Sequence, residues 1–127
     1  MLMRTDRTNR RGFMMAEVLV GTALLAMALA ALAVILQGVS KINLYQWTRQ
    51  RCVAAAQAQL DSLAVAGKPV EESEIERLWP QVRVSIERTA GEGVWQGLDL
   101  VRVTAVGWAA SHEVTAHLER YLPRDDR

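Results

Sequence analysis

The chain has 127 residues, half of them hydrophobic, with a formal charge of +1 and one cysteine. That length allows one domain, or one domain with an appendage. The near-neutral charge makes no electrostatic case for nucleic acid, and the lone Cys52 excludes an intrachain disulfide and a Cys-x-x-Cys pair.

The first twelve residues carry Arg4, Arg7, Arg10 and Arg11 against Asp6 alone, and the rest of the chain is slightly acidic. A basic tip in front of an apolar run is a targeting or membrane layout. Residues 13–36 are apolar or small except for Glu17 and Thr22. As a helix they reach roughly 36 Å, enough for the ~30 Å hydrocarbon layer of a bilayer. The arginines before the run outnumber Lys41, Arg49 and Arg51 after it, which favours a cytoplasmic N-terminus. A removable secretory signal is the competing reading, with small-x-small sites at Ala28-Leu29-Ala30 and Ala31-Leu32-Ala33. A signal core is shorter, about 7–15 residues, and carries no acid. Retention of the segment is favoured.

Glu17 is the anomaly. A charge at the centre of a membrane helix costs roughly 2.5–3.5 kcal/mol, and less near the interface. No basic residue lies between positions 13 and 36. Arg10 and Arg11 can snorkel back toward the carboxylate. A cut between Gly12 and Phe13 offers a closer counter-ion: it frees an α-amino group with a reference pKa of about 7.7–8.0, and positions 13 and 17 share a helix face.

Basic residues, then Gly12, Phe13, a glutamate as the fifth residue after the glycine and a long apolar helix resemble the class III signal of type IV pilins and type II secretion pseudopilins. The resemblance implies that a prepilin peptidase cuts after Gly12, that Phe13 becomes an N-methylated first residue, and that Glu17 registers each subunit against a neighbour's N-terminus in a filament. Met14-Met15-Ala16 departs from the family's usual Thr-Leu-Leu or Thr-Leu-Ile, at positions that serve as apolar filling.

Beyond Leu36 no proline occurs before Pro69 and helix formers dominate, so the helix is expected to continue to about Val65, roughly 80 Å from Phe13. Val39, Ile42, Tyr45, Cys52, Val53, Ala56, Leu60 and Leu63 recur at three- and four-residue steps, with Lys41, Arg49, Arg51, Gln57, Gln59 and Asp61 largely off that stripe. Ala66-Gly67-Lys68-Pro69 reads as the stop. Gly21 and Ala28, on the Glu17 side, would let membrane helices approach closely, although small residues are common in such helices anyway.

The period changes after residue 70. Ser73-x-x-Glu76 reads as a capping box opening a short helix with Ile75 and Leu78, closed at Trp79-Pro80. Val82, Val84 and Ile86 alternate with polar residues. Val101, Val103 and Ala105 do the same, as do Val114, Ala116, Leu118 and Leu122. Turns are expected at residues 90–93 and 109–112. The expected fold is α+β: a long helix, membrane-spanning then amphipathic, laid on a three-stranded antiparallel sheet, the ladle that the resemblance also implies. Roughly sixty residues bury too little by themselves, so the helix serves as the lid.

No catalytic or metal constellation stands out. His112 and His117, five apart, fall on opposite faces of a strand, with His112 expected in the turn, whereas a metal site wants three or four convergent ligands. Cys52 sits on the apolar stripe as a small buried residue. Glu71-Glu72-Ser73-Glu74 is the acidic start of a helix rather than a calcium loop. Trp47, Trp79, Trp95 and Trp108 divide between core and interface roles, with core the commoner fate and Trp79 its best candidate.

The expected organisation is a basic leader (1–12), a transmembrane half-helix (13–36), an amphipathic periplasmic half (37–66) and a periplasmic head (67–127). The resemblance implies a non-enzymatic minor pseudopilin of the bacterial inner membrane, without cofactor or small-molecule substrate. Its partners would be the prepilin peptidase, the other pseudopilins and the lipid bilayer. The stretch "AAAQAQLDSLAVAG" before a short sheet resembles the I-type subunit. A minor pilin of a type IV pilus or DNA-uptake pseudopilus, and a signal-anchored binding module, stay open as alternatives.

Overall fold

A computed structural model describes the backbone of residues 7–124 and the side chains of residues 12–124. Helix α1 spans Arg7–Ala66, α2 Glu72–Leu78, β1 Arg83–Ala90, β2 Leu98–Ala109 and β3 His112–Pro123, with a 3-10 turn at Gly93–Trp95. Two compact units meet between Lys41 and Ile42.

Among the described residues, the first unit is helix alone. It begins ahead of Phe13, because Arg7-Thr8-Asn9-Arg10-Arg11 contains no breaker. The leader residues Arg4 and Asp6, and the side chains of Arg7, Arg10 and Arg11, lie outside the described ones. The helix is long and apolar enough to cross a membrane, and none of its most apolar stretch is buried inside the protein.

In the second unit α1 covers the sheet. Cys52, Ala55, Ala56, Leu60 and Leu63 are buried against Val101, Val103, Ala105, Ala116 and Leu122. The alanines and Cys52 keep the helix surface low, so helix and sheet lie close together. At Gly107 an added Cβ would come within 2.8 Å of Cys52 Sγ and 3.0 Å of Thr48 Cγ2. The helix ends as expected: Gly67, at φ 67°, donates its N–H to the Leu63 carbonyl at 3.2 Å, a left-handed cap that glycine adopts without strain.

Two parts of the expected stripe differ. Val39, Ile42 and Tyr45 are exposed, because burial begins only at Thr48, where the head reaches the helix. Gln59, expected off the stripe, is buried. Its amide clamps Val70, donating from Nε2 to the Val70 carbonyl at 3.2 Å and accepting the Val70 N–H on Oε1 at 2.8 Å. A buried glutamine is tolerable there because both ends of its amide are satisfied.

The Ser73 capping box does not form. Glu71 is the N-cap, with no side-chain cap bond, and its carbonyl accepts the Glu74 and Ile75 N–H groups at 3.0 and 3.1 Å. Glu72 and Glu74 in the first turn complement the helix dipole, so the start needs no hydroxyl. Ile75 is buried, Leu78 is half exposed, and Trp79 closes the helix ahead of Pro80.

The sheet is the expected antiparallel meander, in the order β1-β2-β3. Val84 opposes Ala105 and Ile86 opposes Val103, while Val103 opposes Leu118 and Ala105 opposes Ala116. Core coverage is uneven. On the β1 side Val82 is buried, Val84 intermediate and Ile86 36% exposed, since β1 lies at the sheet edge. The first turn extends past Gly93 through Gly97. Gly91 is required there: it donates to the Leu98 carbonyl at 2.8 Å, and a Cβ would strike the Trp95 and Leu98 carbonyl oxygens. The second turn is Ala110-Ser111, with Ala110 at φ 56°.

Candidate functional site

Glycine and phenylalanine at the expected cut, and the glutamate beyond, occupy one unbroken stretch of α1. Gly12 precedes Phe13, which is 74% exposed, and Met14 and Met15 are similarly open. Phe13 and Glu17, four residues apart, project from one side of the helix. Glu17 is exposed and forms no ion pair among the described residues.

Two hydroxyls in and just beyond the apolar run, Thr22 and Ser40, are satisfied within the helix. Thr22 Oγ1 donates to the Leu19 carbonyl at 2.9 Å and Ser40 Oγ to the Leu36 carbonyl at 3.0 Å, the local bonding that lets such side chains enter lipid. Glu17 has no comparable local acceptor or donor among the described residues. Within residues 13–36 it is the one polar side chain left without a partner among them. A Cβ added at Gly12, Gly21 or Gly38 would meet nothing within 4 Å, so these glycines answer no demand inside the described chain. They leave low points on a surface that another helix can approach.

The other residues singled out in the sequence stay apart. His112 is exposed at the start of β3, and His117 Nδ1 lies 3.0 Å from Thr104 Oγ1 across the polar face of the sheet. Among the described residues no three His, Cys, Asp or Glu side chains come together as a metal site. Cys52 is fully buried, with Sγ 3.8 Å from the Val114 carbonyl. Burial pushes its thiol up, against a smaller downward pull from the Arg51 guanidinium. A protonated thiol in that position is a poor nucleophile.

The tryptophans mostly face outward, against the expectation that the core would take them. Trp79 packs on the core edge, while Trp47, Trp95 and Trp108 are about half exposed or more. Trp95 stacks on Tyr121 with ring centroids 4.5 Å apart and planes 7° from parallel. The head is also tied by Arg120 to Asp61 of α1 and by Arg124 to Asp99, each at 3.0 Å. Glu119 and Glu87 flank Arg102, and the Glu119 hydrogen bond raises the guanidinium pKa further. Sequence periodicity gave no sign of these pairs, which depend on strand register.

Comparison of the chain with protein-family models, with curated proteins and with solved structures returns no match.

Proposed function

We propose that the chain is a minor pseudopilin, a non-enzymatic subunit held in the bacterial inner membrane by residues 13–36, with its N-terminus cytoplasmic and its head periplasmic. The observation that carries this reading is Glu17: an exposed carboxylate, with no ion pair among the described residues, one turn beyond Gly12-Phe13 on a helix otherwise fitted to lipid.

Cleavage after Gly12 by a prepilin peptidase removes the arginines and creates an amine at Phe13. Inside hydrocarbon, where effective screening is weak, that cation and Glu17 of the same or an adjacent subunit attract strongly. A carboxylate costly to a lone helix then becomes a reason for helices to associate in a fixed axial register. Gly21 and the alanines near it support close approach. N-methylation of Phe13 keeps the amine basic. The head, held on α1 by its apolar core, is carried along by the helix and displays its surfaces to the other pseudopilins.

A deletion strain provides the test. Loss of the gene should abolish protein export by the type II route while leaving surface pili in place. Intact export together with missing surface fibres or lost DNA uptake would instead assign the chain to a type IV or uptake system.

A further inference from the structure

Val82 and the first four residues of β1, Arg83, Val84, Ser85 and Ile86, all line one groove of about 1230 Å³. Side chains of a strand alternate between faces, so a cavity touched by five residues in succession runs along the strand's hydrogen-bonding edge. β1 pairs with β2 on one side only and is an edge of the sheet. Alternate residues of such a strand turn their N–H and C=O groups outward, a template for another strand.

The opposite wall belongs to α2, through Glu72, Ile75 and Glu76. The helix therefore overhangs the place beside β1 where a fourth strand would lie. That place has an apolar floor, since Val84 is only partly covered and Ile86 is exposed. It also has a charge. Glu74 is paired with Arg77 at 2.7 Å, whereas Glu72 and Glu76 form no ion pair among the described residues and outnumber Arg83 in the groove.

We propose that this groove is a strand-addition site, which takes as a fourth strand an extended basic segment of another protein, apolar at alternate positions. Main-chain pairing with β1 supplies the affinity, and the partly covered Val84 and exposed Ile86 receive every second side chain. Glu72 and Glu76 select a basic residue and disfavour an acidic one. The groove has this chemistry whether or not the chain is a filament subunit.

The test uses the isotope-labelled full chain in lipid nanodiscs and a capped peptide, KVTVTVK. Binding should shift the amide resonances of residues 82–88 and slow hydrogen exchange along β1 by about tenfold or more at saturation. The acidic peptide EVTVTVE should bind about tenfold more weakly, and the double variant E72K/E76K should weaken KVTVTVK by a similar factor. The substituted residues are exposed, and an unchanged spectrum elsewhere verifies that the variant folds. Of two peptides N-methylated on alternate amides, one should lose binding and the other keep it. No response in residues 82–88 at millimolar peptide would overturn the proposal, as would equal binding of both methylated peptides. So would a dimer of this chain that already closes the β1 edge without peptide.

Discussion

Gly107 of β2 lies directly under Cys52 of α1, close enough that a Cβ on the glycine would stand 2.8 Å from the cysteine sulfur. Helix and sheet meet there without a spacer, and Thr48 Cγ2 would be 3.0 Å away on the same side.

Gly107→Ala should therefore destabilise the head by about 1–3 kcal/mol through overpacking, partly offset by the lower entropy of the unfolded chain. Cys52→Ala removes the sulfur and opens a small cavity, so each single change should cost stability by itself. Combined, they should cost less than the sum, because the new methyl occupies the space the sulfur leaves. Urea unfolding of the four proteins checks this, and strict additivity would show that the two sites do not press on each other.

Gln59→Leu should cost about 1–3 kcal/mol, since it strands the N–H and C=O of Val70 without partners. The same measurement series can follow Val70 amide exchange, which should accelerate in the variant well before global unfolding.

The Cys52 thiol, raised by burial, links stability to alkaline pH. The folded state holds its proton to a higher pH than the unfolded state does. Its contribution is complete below the unfolded thiol pKa of about 8.5 and is lost as pH rises above that value. Wild type should lose stability from about pH 8.5 upward more steeply than Cys52→Ala. A thiol reagent should label Cys52 only at the rate of head unfolding.

Glu17→Leu should insert in a membrane at least as well as wild type, because it replaces a carboxyl side chain with an apolar one. It should still be cleaved after Gly12 and should fail to cross-link into the pseudopilus. Full assembly of this variant would remove the carboxylate from the mechanism.

Several features were legible because one physical demand dominated each. Val101, Val103 and Ala105 alternate with polar residues along a strand with one buried face, and their burial follows. Ala66-Gly67 could stop the helix because few residues besides glycine accept φ 67°. Periodicity names the apolar side of a helix but not how far a head extends along it, so Ile42 and Tyr45 looked buried and are not. Gln59 reads as surface until Val70 is seen beside it, and Ser73 looked like a cap because Glu71 could not be ranked against it. At the candidate site, Gly12, Phe13 and Glu17 were legible from local order alone. The groove beside β1 was not, because residues 72–76 and 82–86 become its two walls only on folding.

The mass of the mature N-terminus, taken from protein recovered from envelopes, tests the central claim most directly. A chain starting at Phe13 and carrying one extra methyl group is the expected result. A chain that retains Met1, or one that starts near Ala31 or Val34, would contradict it.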